Sequence, residues 1–447
     1  MTLAERLDRL PLSPFHRRLT VSSGLGWMFD ALDSGLVSFV LAVLAREWSL
    51  TPSQTGWIGS AGMAGMLVGA IVSGTLADRW GRRAVFLATL VLFSIATGLC
   101  GLATGFFSLL ALRCLVGFGL GGELPVAAAL VSEFAPSAHR GRLVVLLESF
   151  WAVGWAAAAL IAWLFIPAYG WRAAFFLGAL PALYTIHLRR SVPESPRFLL
   201  AQGRVAEAGA IVAGIERECG VEPPAPGDAA PEAAPAAAPA GFAALWSGER
   251  ARRTLMLWIV WFAMVYSYYG IFIWLPTILV ASGHTVVKSF EYVLIITAAQ
   301  IPGYFTAAWV VDRAGRKPTL AVFLAGCAGA CWGFGFHAAS DTAIVAWGCL
   351  VSFFNLGAWG VLYTWTPESY PTALRARGAG WAAGVGRIGG ILAPLVIGAI
   401  LGSRPGANGV VFGHVAALVL IAAAASVILG AETRGASLES AAAQSEV

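Results

Sequence analysis

Polar positions are sparse along this chain, and they divide it into long apolar runs. Runs long enough to cross a bilayer lie near 20–46, 54–77, 84–104, 106–134, 142–167 and 171–189. A second set lies near 254–281, 287–312, 318–338, 342–369, 376–402 and 410–431. A spanning helix needs roughly 20 apolar residues. Inside hydrocarbon only a helix or a closed barrel satisfies its own backbone donors and acceptors. The pattern therefore predicts an all-α integral membrane protein with twelve transmembrane helices. Met1–Thr20 is polar and carries Arg6, Arg9, Arg17 and Arg18, so no cleavable signal is expected ahead of the first span.

The only sizeable polar segment lies near 190–253 and divides the spans six and six. It opens with Pro193-Glu194-Ser195-Pro196-Arg197, continues into an expected amphipathic helix near 203–217, and passes through an Ala/Pro-rich tether at Pro223–Pro239. The expected organisation is an N-terminal six-helix half (1–190), a cytoplasmic linker (191–253), and a C-terminal six-helix half with a cytoplasmic tail (254–447).

Composition agrees with this picture. The chain is 58% hydrophobic and 12% charged, against about 25% charged in a soluble domain. That balance excludes an ordinary soluble enzyme, a disordered chain and a collagen-like one. The net charge of +5 is a topology signal rather than a nucleic-acid patch. Arg79, Arg82, Arg83, Arg140, Arg142, Arg313, Arg316, Lys317, Arg375 and Arg377 fall in alternate loops, with a further cluster of arginines in the long loop. The intervening loops offer only Arg46, Arg172, Lys288 and Arg404. The positive-inside rule then places both termini in the cytoplasm. Five of the six cysteines fall inside spans, so no disulfide framework is expected, and Cys327 with Cys331 reads as small packing residues. The six histidines are scattered, and no nucleophile–base pair or metal cluster stands out. Neither an enzyme nor a metal or other cofactor is expected.

The two sets of spans repeat one another. Gly74-Thr-Leu-Ala-Asp78-Arg79-Trp-Gly81-Arg82-Arg83 follows the second span, and Asp312-Arg313-Ala-Gly315-Arg316-Lys317 follows the eighth, at an offset of 234. Glu133-Phe-Ala-Pro136 follows the fourth span and Glu368-Ser-Tyr-Pro371 the tenth, at an offset of 235. Duplicated halves with a binding site between them at mid-membrane are a secondary-transporter design. Gly81 and Gly315 permit tight turns. Gly74, Asp78, Arg82, Asp312 and Arg316 are the candidate gating residues, with the acids latching onto a positive partner or a helix N-terminus; the alternative is a basic turn that only fixes topology. These loops resemble the signature of the major facilitator superfamily across essentially the whole chain.

Charges inside spans are costly and usually face a cavity or a partner. The first span carries Asp30 and Asp33. The fourth carries Arg113 in Arg113-x-x-x-Gly117-x-Gly119-x-Gly121-Gly122. The fifth carries Glu148, and the eleventh carries Arg387 between Gly384-Val-Gly386 and Gly389-Gly390. The glycines allow close helix approach, which would hold Arg113 near a carboxylate of the first span. Such a pair is either a proton switch or a static ion pair. The Arg113 motif is similar to one that, in sugar-porter-like members of the superfamily, pairs with an acid at the Asp33 position. Asp30 is then a second proton site or a partner for another polar group. Arg387 is either an anchor for a substrate carboxylate or a partner for an acid.

The eighteen tryptophans add a further signal. Glu148, Trp151 and Trp155 share one helix face, as do Asn355, Trp359 and Tyr363. The seventh span reads Tyr266-Ser267-Tyr268-Tyr269-Gly270 and then Trp274-Leu-Pro276, and the eighth carries Gln300-Ile-Pro302-Gly303-Tyr304. Aromatic rings from several helices around one cavity would stack on a flat solute, whereas a sugar site would be richer in Asn and Gln.

Three stretches narrow the resemblance: Gly26-Trp27-Met28-Phe29-Asp30 through Asp33-Ser34-Gly35, Tyr268-Tyr269-Gly270 through Trp274-Leu-Pro276, and Lys288-Ser289-Phe290-Glu291-Tyr292 followed by Gln300-Ile-Pro302-Gly303-Tyr304. Together they resemble the bacterial niacin (nicotinate) permeases, which are similar to the synaptic vesicle glycoprotein 2 proteins. The resemblance implies import of nicotinate by alternating access, with proton symport, through a bacterial-type inner membrane and as a monomer among membrane lipid. It implies Trp151, Tyr269, Trp359 and Tyr363 as ligand-site aromatics and a polar contact at Glu148, with Gln300 counted among the polar contacts. Arg387 and Asn355 are candidates for the substrate carboxylate, and Asp33, Arg113 and Asp30 for proton coupling. Other readings are a transporter of another small aromatic acid or organic ion, and a ligand-binding membrane sensor that does not transport.

Overall fold

The structure is a computed structural model; it describes residues 3–122, 131, 134–136, 140–184, 193–223, 242–404 and 406–434. Its regular elements are all helical among those residues. A short α1 (Leu3–Asp8) precedes α2 (Pro14–Glu47), α3 (Pro52–Trp80), α4 (Arg82–Cys100), α5 (Phe106–Gly121), α6 (Arg140–Tyr169) and α7 (Trp171–Gly178). The linker contributes α8 (Pro196–Ala201), α9 (Val205–Glu218) and a single 3-10 turn at Phe242–Trp246. The second set is α10 (Glu249–Ala281), α11 (Val286–Ala298), α12 (Gln300–Ala314), α13 (Arg316–His337), α14 (Asp341–Glu368), α15 (Thr372–Ser403) and α16 (Asn408–Leu429).

Local chemistry sets the helix ends. Thr51 accepts from the Gln54 amide at 3.2 Å, while Gln54 Oε1 accepts from Thr51 N at 2.9 Å, and Pro52 occupies the first turn. Ser340 and Thr285 cap α14 and α11 by accepting from the amides of Ala343 and Lys288. Gly81 and Gly315 take φ of 99° and 94° and so allow α3 to turn into α4 and α12 into α13. The eighth apolar run is two helices rather than one. Pro302 has no N–H to continue the ladder, and the run breaks at Ala299 between α11 and α12. The fourth run is described as far as Gly122 and again at 131 and 134, and the sixth as far as Tyr184; the rest of them, with Glu133, lies outside the described residues.

The packing repeats with the sequence. In the first half α2 lies against α6 and α3 against α5; in the second, α10 lies against α15 and α12 against α14. Glycines bring the backbones together. A β carbon on Gly69 would meet the Phe118 carbonyl, and one on Gly303 would meet the Phe353 carbonyl, pairs that are 234 and 235 residues apart. Gly65 and Gly117 similarly meet the carbonyls of Cys114 and Gly62 across α3 and α5.

Between the halves, α3 packs on α15, α6 on α11 and α2 on α10. Polar and close backbone contacts join the halves there. Ser60 Oγ donates to the Ile391 carbonyl at 2.7 Å and Arg46 Nη2 to the Val280 carbonyl at 3.1 Å. Gly398 leaves room for the Pro52 carbonyl, and Gly56 for that of Pro394.

Candidate functional site

A cavity lies where the halves meet. Trp27, Glu148 and Trp151 wall it from the first half. Tyr268, Tyr269, Tyr304, Leu356, Trp359 and Tyr363 wall it from the second. The two walls are built differently. Trp27 and Trp151 lie tilted at 38° with centroids 4.6 Å apart. Opposite, Trp359 and Tyr363 stack at 5.4 Å, and Trp261 braces both edge-on. A hydrogen bond joins the walls: Trp151 Nε1 donates to Tyr268 Oη at 2.8 Å, and that hydroxyl points on to Gln300 Oε1 at 3.4 Å. The surface is mostly ring face and edge, with phenol hydroxyls and one carboxyl group, that of Glu148, as its polar points.

Five of the eight residues expected at a substrate site line this cavity: Glu148, Trp151, Tyr269, Trp359 and Tyr363. Three do not. Asn355 is fully buried, donating to Ser267 Oγ at 2.9 Å and to Cys327 Sγ at 3.6 Å. The face that α14 turns to the cavity carries Leu356, Trp359 and Tyr363 instead, and residue 355 lies about 100° around the helix from residue 356. Gln300 sits in a second layer, behind the Tyr268 hydroxyl. Arg387 lies beside Tyr269 and Tyr363 without joining the cavity wall. No acid pairs with it among the described residues.

Trp27, Tyr268, Tyr304 and Leu356 complete the wall and were not singled out as ligand contacts by residue pattern. Three of the four lie in the stretches that carried the permease resemblance, and that was their signal.

Asp33 and Arg113 meet. Arg113 Nη1 donates to Asp33 Oδ2 at 2.8 Å, and Thr97 Oγ1 donates to Asp33 Oδ1 at 2.7 Å. Asp33 is 0% and Arg113 3% exposed. Gly62 of α3 makes room for the guanidinium: a β carbon there would sit 3.4 Å from Nη2. Asp30 is also fully buried and lies within electrostatic range of Tyr269.

The turns after α3 and α12 hold carboxylates, from an unexpected source. Glu194 Oε1 accepts from the backbone of Arg82 and Arg83 at 3.0 and 3.2 Å. Glu432 accepts from the backbone of Arg316 and Lys317 at 2.9 and 3.0 Å. Each acid thus caps the helix that follows a positive-φ glycine. Burial alone would raise the Glu432 carboxyl; the backbone donors outweigh it and hold the group below the ordinary value. Arg316 also grips Glu368 with two 2.8 Å bonds. Asp312 is exposed and makes no ion pair among the described residues. Gly74 has open space around it, and the Asp78 side chain lies outside the described residues. A signal for the capping acids existed in the parallel Glu194-Ser195 and Glu432-Thr433.

Comparison with known proteins gives a consistent answer. The profile of the sugar (and other) transporter family matches residues 28–444. The niacin transporter NiaP of Acinetobacter baylyi is 51% identical over 98% of this chain and 99% of its own length. The putative niacin/nicotinamide transporter NiaP of Bacillus subtilis is 46% identical, covering 95% of this chain and 98% of its own. In architecture, the xylose transporter XylE from E. coli, in a partially occluded inward-open conformation, superposes with a TM-score of 0.76 at 16% identity. That match covers 95% of this chain and all of the other, and it speaks to fold alone.

The chain belongs to the sugar (and other) transporter family. It has the all-α major facilitator fold and is a multi-pass membrane protein, a transporter rather than an enzyme. For a transporter, the cavity's position between two packed halves matters more than any single wall residue. Rocking one half on the other would change which end of the cavity is open.

Proposed function

We propose that this transporter imports nicotinate, by alternating access and proton symport, through a bacterial inner membrane with both termini in the cytoplasm. Nicotinate is favoured by the near full-length likeness to niacin transporters. The cavity suits it physically: seven of its nine lining residues are aromatic, and offset ring pairs contribute roughly 0.5–1.5 kcal/mol each beyond burial. Trp151, Tyr269, Trp359 and Tyr363 hold the ring. Glu148 meets the ring nitrogen. Arg387, beside Tyr269 and Tyr363 and bound to no acid among the described residues, receives the carboxylate as the halves close.

Proton symport follows from charge. An anion entering an inside-negative cell works against about 2.3 kcal/mol per 100 mV, and one accompanying proton cancels that charge. The buried Asp33–Arg113 pair and Asp30 are the coupling groups in this reading. With cytoplasmic termini, the contacts between the halves at Arg46, Pro52 and Ser60 form the outer closure in this reading. The capped turns at Arg82 and Arg316, with Gly74, Asp78 and Asp312, form the inner gate. The 1–190 and 254–447 halves are the moving bodies, the 191–253 linker tethers them, and the working unit is a monomer in lipid.

The test is uptake of radiolabelled nicotinate into proteoliposomes with and without an inward proton gradient. Gradient-dependent accumulation supports the reading. Binding without accumulation makes the protein a sensor, and neither binding nor uptake removes nicotinate. Stronger competition by benzoate than by unlabelled nicotinate would make another aromatic acid the substrate.

A further inference from the structure

The last turn of α10 lies at the contacts between the halves, and side chains leading to three other helices meet its carbonyls. The final carbonyls of a helix have no partner within its regular ladder. Ser282 Oγ donates to the Ile278 carbonyl at 2.8 Å and itself accepts from Asn408 Nδ2 of α16 at 3.2 Å. Arg46 Nη2 of α2 donates to the Val280 carbonyl at 3.1 Å. Between them, the Leu279 carbonyl lies 3.2 Å from His284 Nδ1. The other ring nitrogen, Nε2, lies 3.1 Å from Asp341 Oδ1 in the first turn of α14. A second cavity opens beside this ring, with Ser282, Ser340, Asp341 and Asn408 in its wall. The His284 side chain is 18% exposed, so it exchanges protons with water at this end.

Both partners of the His284 ring are acceptors. A backbone carbonyl and a carboxylate each call for a hydrogen, and only imidazolium carries N–H on both ring nitrogens at once. A neutral ring satisfies the partners of His16 and His414. The Ser13 backbone N–H donates to His16 Nδ1 while Nε2 donates to the Phe134 carbonyl. The Tyr266 hydroxyl donates to His414 Nε2 while Nδ1 donates to the Val410 carbonyl. A neutral His284 keeps one of its two bonds and turns a lone pair on the other acceptor. A cation is also favoured where this ring stands, at the C-terminal end of α10. The charged and titratable groups around it are Asp341 of α14 and Tyr292, Lys288 and Glu291 of α11. Tyr292 meets the ring edge-on at 5.6 Å, and Lys288 lies 5.2 Å over Tyr292 and 3.8 Å from Glu291. From α13 and α16, the cavity wall receives the neutral Phe334, Phe336 and Asn408.

We propose that His284 is a proton-operated clip at the outer end of the second half, which tightens the contact between the halves when the exterior is acidic. Imidazole rings change charge between about pH 5 and 8. In acid, exterior water supplies the second ring proton. Nδ1–H and Nε2–H then hold Leu279 and Asp341 together, and the last turn of α10 is fixed with its Val280 carbonyl on Arg46. As pH rises, the ring returns that proton to water, one bond is lost, and the turn loosens beside the Arg46 contact. The contribution to closure is therefore complete in acid and is lost towards alkaline pH. The ring stands apart from the aromatic cavity, so the clip acts on closure of the outer end and not on recognition of the solute.

This inference rests on the proposed orientation, in which this end faces outside, and the experiment reads that separately. The reporter is Met63→Cys, between the halves, where a β carbon on Gly390 would lie 3.0 Å from Met63 Sδ. The control is Ser403→Cys, exposed at the same end. A membrane-impermeant thiol reagent is added outside right-side-out vesicles at a series of pH values between about 5.5 and 8. The background of the protein's own cysteines is subtracted, and the reporter rate is divided by the control rate at each pH, which removes the titration of the thiol itself. With His284 in place, the ratio is expected to rise at least about threefold from acid to alkaline pH. His284→Gln is expected to give the high ratio throughout, and His284→Lys, a cation throughout, the low one. A ratio independent of pH with His284 in place overturns the clip, as does an unaltered rise in His284→Gln. Flat profiles at one level in both variants assign the residue to packing and also overturn it. A control that does not label from outside refutes the orientation, and the exterior clip with it. No step uses nicotinate, so loss of the nicotinate reading leaves the result standing.

Discussion

Asp33→Asn tests the ion pair at the centre of the first half. The substitution keeps shape and removes charge. Arg113 is then left 3% exposed with a neutral amide in place of its carboxylate. Gly62 closes over the guanidinium, leaving little space for water to compensate. Breaking a buried pair by removing one partner costs about 3–5 kcal/mol. The two ends are not equivalent. A guanidinium stays charged under all accessible conditions, whereas a carboxyl left alone can bind a proton. Asp33→Asn should therefore be worse than Arg113→Leu, and the double variant should be milder than the sum of the two. Thr97→Val removes only the 2.7 Å hydroxyl bond to Asp33, an interaction with a charged group of about 1.5–3 kcal/mol. Thermal unfolding in detergent, read by a thiol-reactive dye as buried Cys100, Cys327 and Cys331 become accessible, gives the ranking. At the roughly 0.9 kcal/mol per degree implied by the size of the chain, Asp33→Asn should lower the midpoint by about 3–5 °C. Equal midpoints for Asp33→Asn and the parent, or strict additivity in the double variant, would refute the argument.

Trp151→Phe removes the 2.8 Å bond that joins the two cavity walls and part of the contact with Trp27. Losing about 1.4 kcal/mol from these two terms should weaken nicotinate binding about tenfold by calorimetry, and an unchanged Kd contradicts the proposed site. Gly117→Leu places a side chain against the Gly62 backbone. It should cost about 1–3 kcal/mol or more and reduce the monodisperse yield on size exclusion, while Gly209→Ala, in open space on α9, should leave that yield unchanged. At the linker, burial alone would raise the Glu216 carboxyl, but hydrogen bonds from Arg6 and Arg9 outweigh it and hold the group below its ordinary value. Its contribution to docking α1 on α9 is then complete above about pH 4.3 and is lost as pH falls through the lowered value. Glu216→Gln should speed tryptic cleavage at Arg6 and Arg9 at neutral pH; cleavage as slow as in the parent would count against the dock.

The membrane-spanning character, the duplication and the family were legible in the chain itself. Each follows from one-dimensional information: run length against bilayer thickness, spacing of basic loops, and motifs recurring at one offset. The tertiary structure decided which faces of those helices look inward. A helix of a soluble protein shows its buried side by its polar opposite side, but a span surrounded by lipid and by other spans is apolar nearly all round. Asn355 and Trp359 share a stripe on paper, yet α14 turns Leu356 to the cavity and Asn355 to Ser267. Gln300 falls behind Tyr268, whose hydroxyl points at its Oε1. The acids that cap the two basic turns come from Glu194 and Glu432, distant in sequence from the glycines they serve. Sequence determined that Arg113 would need a carboxylate, because a charge in hydrocarbon cannot stay unpaired cheaply. The resemblance pointed to Asp33 as that carboxylate; that Thr97 is its second partner was decided only by how the helices pack.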